Sequence, residues 1–131
     1  MKSLIVEDDF TSRLLMQKFL MPYGECHVAV NGIEAIAAFS SALYSKEPYH
    51  LICLDIMMPE MDGQAALREI RAIEENEGVM FGDGVKVAML TALGDMNNKI
   101  AAFKEACDIY LVKPIDRAKL IEQLRLLKLI E

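Results

Sequence analysis

The sequence predicts an α/β fold built on a parallel sheet, and three observations carry that prediction. Short apolar runs alternate with longer segments whose apolar residues recur at helical spacing, and five such units fit along the chain. Four of the runs stop on polar residues able to handle a phosphoryl group or a metal: residues 4–6 lead into Glu7, Asp8 and Asp9, residues 51–54 into Asp55, residues 87–90 into Thr91, and residues 109–112 into Lys113. At 131 residues the chain suits one domain and is too short for two ordinary ones.

The first strand covers residues 2–6. Thr11 or Ser12 then caps a helix carrying Leu15, Met16 and Phe19, which ends near Pro22-Tyr23-Gly24, with Gly24 suited to the position after the last turn. Residues 26–30 make the second strand. Asn31 caps the second helix, Glu34 closes a capping box, and Ile36, Phe39 and Leu43 form its buried stripe. Pro48 separates that helix from the third strand. The third helix starts around Gly63 and carries Ala66, Leu67, Ile70 and Ile73 before a polar, acidic stretch over 74–78. A loop over 78–84 follows; its Gly82-Asp83-Gly84 reads as a turn, since no helix N-terminus follows to make a phosphate cradle. The fourth helix puts Met96, Ile100, Phe103 and Cys107 on one face, and the fifth does the same with Leu120, Ile121, Leu124 and Leu127. Leu126 and Leu129 fall off that last stripe, so the end of the helix is either buried all round or offers a contact surface.

Composition excludes several classes of function. A net charge of -6 with no basic cluster argues against nucleic-acid binding by this chain alone. No apolar run approaches the ~18 residues of a membrane span, and the start resembles no secretory signal, so a cytoplasmic protein with no membrane contact is expected. Cys26, Cys53 and Cys107 form no CxxC pair and read as three reduced core thiols. His27 and His50 stand alone near strand starts and read as partly exposed edge imidazoles, not ligands.

If the runs are parallel strands, their carboxyl ends line one edge, outside which open α/β sheets bind ligands. Glu7, Asp8 and Asp55 then meet. At ~5 Å and an effective dielectric of about 20, each like-charged pair repels by roughly 3 kcal/mol, so the cluster needs a cation or a raised carboxyl pKa. An all-oxygen set suits Mg²⁺ or Mn²⁺. Lys113 adds a point charge and Thr91 a hydroxyl donor, offsetting the negative charge that keeps a carboxylate from attacking a phosphoryl group. Asp55, after the most apolar strand, is the expected nucleophile; Glu7 and Asp8 are the expected metal ligands, and an aspartyl phosphate is the product. Taken singly, each acid reads as a solvated loop residue; only the combination points to this chemistry.

These residues, their order and their intervals resemble the response-regulator receiver domains of two-component signalling over nearly the whole chain. The resemblance matches Glu7 and Asp8 to the acidic pair, Asp55 to the phosphoacceptor, Thr91 to the switch hydroxyl residue and Lys113 to the site lysine. Leu54-Asp55-Ile56-Met57-Met58-Pro59-Glu60-Met61-Asp62-Gly63 is similar to the acceptor loop, and Lys113-Pro114 to the lysine followed by a cis proline. It implies a flavodoxin-like, doubly wound five-stranded parallel sheet of order 2-1-3-4-5 with five helices, and a single receiver domain over 1–131. It also implies a metal ligand from the Met57 backbone carbonyl and an inward-moving aromatic at Tyr110. The implied signalling surface joins the fourth helix, fifth strand and fifth helix over 96–103, Tyr110 and 115–127. The implied partners are a sensor histidine kinase or a histidine phosphotransfer protein as donor, and a downstream protein target; the implied type is a stand-alone, chemotaxis-type receiver. Residues 105–108 depart from the family, which commonly has a Gly-Ala pair there, so the end of the fourth helix is expected to close differently.

Two other functions fit less well. A Mg²⁺-dependent phosphohydrolase of the haloacid-dehalogenase type carries a second acid two residues after its nucleophile, where this chain has Met57. A phosphorylation-independent binding module is expected to have lost some of the acids, the threonine or the lysine, and here all are present. A P-loop NTPase is excluded by the absence of GxxxxGK[ST]. The expected protein is therefore a phosphoacceptor that takes part in its own phosphorylation and dephosphorylation, not an enzyme acting on a separate substrate.

Overall fold

The computed structural model describes residues 1–56, 58, 61–80, 82–92 and 107–131. In chain order these form β1 (Ser3–Val6), α1 (Phe10–Leu20), a 3₁₀ turn (Met21–Tyr23), β2 (Cys26–Ala29), α2 (Gly32–Tyr44), β3 (Leu51–Asp55), α3 (Gly63–Asn76), β4 (Lys86–Ala92), β5 (Ile109–Lys113) and α4 (Arg117–Leu126). Helix α4 is the fifth helix of the sequence reading. The expected fourth, with Met96, Ile100 and Phe103, lies outside the described residues, which therefore hold four α-helices where five were expected over the whole chain.

The five strands are parallel and run in the order β2-β1-β3-β4-β5, as the resemblance implied. Register then decides what meets at the carboxyl edge: Val6 pairs with Leu54, Asp55 with Leu90, and Ala92 with Lys113. Glu7 follows Val6 directly, so it leaves the sheet beside Asp55. Strands β1 and β3 are buried along their whole length, which is why they read as unbroken apolar runs. Their side chains still alternate. Leu4 and Val6 enter one core with Phe39, Ile52, Leu54, Leu67 and Ile70, under α2 and α3. Ile5 and Cys53 enter the other with Met16, Leu20, Leu90, Leu120 and Leu124, under α1 and α4.

Several local expectations are corrected. Asp9, not Thr11 or Ser12, caps α1: its carboxylate accepts the Ser12 N–H at 2.8 Å. Leu15 is 40% exposed, and the core face of α1 belongs to Met16 and Leu20. On α2, Asn31 caps as expected, but Glu34 returns to the N–H of Val30, one residue before the cap, at 3.1 Å. The buried stripe of α2 is Ala35, Phe39 and Ala42, with Ile36 and Leu43 only partly buried. Of the three expected core thiols only Cys53 is buried, and burial pushes its pKa up; Cys26 and Cys107 are partly exposed. Both imidazoles are exposed: His27, on edge strand β2, has its Nδ1 2.7 Å from the Tyr49 hydroxyl, and His50, just before the central strand β3 and not at an edge, has an Nδ1 that accepts the Lys2 N–H at 2.8 Å.

After α4 the chain turns at Lys128 (φ 61°) and the Leu129 N–H bonds the Leu124 carbonyl at 3.0 Å. That turn returns Leu129 and Ile130 to the core while Leu126 stays 68% exposed, so the two off-stripe leucines divide between the two alternatives. Glu74, expected in a polar stretch, is buried near the end of α3 and accepts the Val85 N–H at 2.7 Å. Gly84 passes so close to that carboxylate that a Cβ there has no room. At the departure before β5, the Asp108 N–H bonds the Val87 carbonyl at 2.9 Å and the Asp108 carboxylate accepts the Val87 N–H at 2.9 Å. This side chain ties the start of β5 to β4.

Candidate functional site

Glu7, Asp8, Asp55 and Lys113 converge at the carboxyl edge of the sheet. Glu7 is 1% and Asp55 4% exposed, both held by central strands, whereas Asp8 projects to solvent. One carboxylate oxygen from each of the three acids lies within 4.8 Å of the others. Lys113 Nζ donates to Glu7 Oε2 at 2.7 Å and stands 3.4 Å from Asp55 Oδ2. Burial acts to lower the Lys113 pKa, but the hydrogen bond to Glu7 and the charges of Asp55 and Glu7 outweigh it, holding it above its ordinary value and the ammonium charged. Three carboxylates against one ammonium leave the cluster strongly negative. A hard divalent cation fits this set, which is all oxygen, short-spaced and open to water at Asp8.

Two loops shape the cluster. Past β3, the Ile56 N–H bonds the Leu90 carbonyl at 3.0 Å, and the Gly63 N–H bonds the Ile56 carbonyl at 3.0 Å. The start of α3 thereby packs so tightly on the Asp55 backbone that a Cβ on Gly63 has no room. Past β1, the Asp9 N–H donates to Glu7 Oε1 at 3.2 Å, which turns that carboxylate inward.

Thr91 is the sixth residue of β4, 1% exposed, one position beyond the register partner of Asp55. Tyr110 is partly buried on β5, against the core under α2 and α3, and pairs in register with Met89. Thr91 and Met89, two apart on one strand, share a face, so Thr91 and Tyr110 stand on the same side of the sheet. The Lys113-Pro114 bond is cis. Met57 lies outside the described residues. Sequence reasoning passed over Arg13, whose Nη1 donates to the carbonyls of Glu7 at 3.1 Å and Asp8 at 3.2 Å. A basic residue one helical turn past an acidic loop was the available signal.

A model of the response regulator receiver domain matches residues 3–125. Among curated relatives, a probable transcriptional regulator, ycf27 of Cyanophora paradoxa, is 32% identical over 125 residues, covering 95% of this chain and 46% of the relative. The chain spans about half the length of the curated relatives it matches. Among solved structures, a mutant receiver domain of the histidine kinase CKI1 from Arabidopsis thaliana superposes with a TM-score of 0.83 at 26% identity, over 98% of this chain and 90% of that one. The same domain complexed with Mg²⁺ and BeF₃⁻ gives 0.79 at 26% identity, over 98% and 90%. The receiver domain of the response regulator Ssk1, solved with the histidine phosphotransfer signaling protein Ypd1 of Saccharomyces cerevisiae, gives 0.75 at 27% identity, over 94% and 85%. With this site, this sheet order and this match, the chain belongs to the response regulator receiver domains, the phosphoacceptor modules of two-component signalling.

Proposed function

We propose that Asp55 accepts the phosphoryl group, with Glu7, Asp8, Asp55 and the Met57 carbonyl holding Mg²⁺ or Mn²⁺, and with Lys113 and Thr91 binding the transferred group. The observation that carries the reading is the lysine: separated from Glu7 by 106 positions in sequence, Lys113 reaches both Glu7 and Asp55. An oxygen of Asp55 attacks phosphorus, the P–N bond of a phosphohistidine donor breaks, and the electron pair leaves on the imidazole nitrogen. The aspartate is rigid and nearly dry, so little reorganisation separates the resting carboxylate from the attacking one. Lys113 stabilises the charge that develops on the equatorial oxygens, and a bound divalent ion supplies the remaining neutralisation there.

In this reading the Thr91 hydroxyl turns toward the phosphoryl group and Tyr110, on the same side of the sheet, follows it inward. The face around β5 and α4, with the expected fourth helix, then changes its affinity for a protein target. The donor is a sensor histidine kinase or a histidine phosphotransfer protein, in keeping with the Ssk1 relative. Residues 1–131 act as one receiver domain with the family's five helices, in the cytoplasm, as a chemotaxis-type switch. By its net charge of -6 and lack of a basic cluster it is read as binding neither nucleic acid nor an anionic membrane by itself. Among the described residues no helix is long and apolar enough to cross a membrane.

Intact mass after incubation with acetyl phosphate and Mg²⁺, and separately with a phosphohistidine donor, tests the proposal. One phosphoryl adduct is expected, absent from Asp55→Asn and absent after chelation. An adduct that survives Asp55→Asn, or none from either donor, overturns it.

A further inference from the structure

We propose that Arg13 is a positioning residue for the cation site: its guanidinium holds the backbone of Glu7 and Asp8 so that both carboxylates stay aimed at Asp55. This rests on reading Glu7, Asp8 and Asp55 as the cation ligands. Both carbonyls lie beyond Val6, the last residue of β1, and one nitrogen of Arg13 meets them at 3.1 and 3.2 Å. Helical side chains lean toward the N-terminus, so a residue in the first turn of α1 returns naturally over the loop that precedes it. The Arg13 backbone N–H also bonds the Asp9 carbonyl at 2.9 Å, which fixes the base of the side chain on the same loop. Above it stands Phe10, 67% exposed, its ring centre 5.6 Å from the guanidinium carbon. That contact gives an exposed aromatic a purpose: it limits where the arginine can swing.

The need is greatest at Asp8. Glu7 is buried and tied by Lys113 and Asp9, but the Asp8 carboxylate is exposed, so its aim depends on the backbone that carries it. The sign of the effect separates positioning from charge. A positive group this close repels a dication, so if charge alone mattered, removing it would tighten cation binding. If positioning dominates, removing it weakens binding although a repulsion is lost.

Binding of Mn²⁺ followed by the fall of the free-ion electron paramagnetic resonance signal, with thermal midpoints of every variant, tests this. Arg13→Met is expected to bind about tenfold more weakly than wild type, the low end for losing an outer-shell partner. Arg13→Lys keeps a donor head able to meet two carbonyls and is expected to recover part of the loss, whereas Arg13→Gln, neutral and shorter, is expected to stay weak. Arg13→Met binding as tightly as wild type, or more tightly, overturns the proposal while leaving the cation site standing. Failure of the wild-type chain to bind Mn²⁺ overturns both. Phe10→Leu, at a side chain 67% exposed, is expected to weaken binding about twofold through the lost ring contact. Should Arg13→Met not fold, Phe10→Leu decides: unchanged affinity overturns the proposal.

Discussion

The two ends of the sheet each carry a cluster of charges, and the clusters are built on opposite rules. At the amino end Arg71 meets Glu74 at 2.7 Å and Asp108 at 3.6 Å, and Lys86 meets Asp108 at 3.9 Å. Acids and bases balance, and each carboxylate also accepts a backbone N–H, from Val85 just before β4 or Val87 within it. At the carboxyl end Glu7, Asp8 and Asp55 share the side chain of Lys113. A balanced, hydrogen-bonded cluster is complete as it stands and acts as scaffold. One left in deficit has capacity for a further positive charge, and here that capacity lies where the register gathers the strand ends.

The sharpest way to break this contrast is to remove Glu74. Glu74→Ala strands the buried Val85 N–H and costs Arg71 its closest partner. Because the Arg71 side chain is 36% exposed and rehydrates, the expected loss is about 2 kcal/mol, less than for a fully buried pair. For a chain of 131 residues that is a fall of roughly 7 °C in thermal midpoint. Phosphorylation of Asp55 by acetyl phosphate should persist below the new midpoint. A variant that keeps its midpoint, or loses the adduct while folded, would show that the amino-end cluster is not scaffold.

The carboxyl end should answer in the reverse sense. Asp8→Asn removes a like charge from the cluster, so the variant is expected to melt above wild type in chelator. Mg²⁺ then reverses the order. At ten times its dissociation constant a ligand adds about 1.4 kcal/mol to the folded state, roughly 5 °C here, and the variant should gain little of it. Thermal midpoints with and without Mg²⁺ measure both halves. If Asp8→Asn lowers the midpoint in chelator, the acids are not in deficit and the comparison fails.

The sequence disclosed the carboxyl end far better than the amino end, for a physical reason. Asp55, Thr91 and Lys113 end apolar runs, and the alternation of strands and helices is enough to bring run ends to one edge. Glu74 ends nothing: it sits among Glu75, Asn76 and Glu77, and its burial depends on how α3 crosses the start of β4. That is tertiary information. The same limit explains Ala35 and Ala42, small residues that take the core face of α2 where larger neighbours were expected. Sheet order was legible only through resemblance, since apolar periodicity does not state which strand lies beside which. The Asp9 cap was missed because three acids in a row look alike, although one of them does different work.

Asp9 offers the finest division, since it lies beside Asp8 yet follows the rule of the other end. Its carboxylate is held below its ordinary pKa of 3.8, first by the Ser12 backbone N–H, then by the Ser12 side chain. A depressed pKa means the folded state favours the ionised form. The cap therefore contributes stability that is fully present above the ordinary value and is lost as pH falls through the lower, folded value. Asp9→Ala should melt slightly below wild type at neutral pH, by less than Asp8→Asn moves in Mg²⁺, and the gap should close in acid as the wild-type cap protonates. Asp9→Asn, which still accepts the Ser12 N–H, should lose less at neutral pH and show no such acid step. Both variants should still take up phosphate on Asp55, where Asp8→Asn does not. A gap independent of pH would remove Asp9 from its role as cap, and loss of the adduct in Asp9→Asn would move it into the site, leaving no division inside the loop.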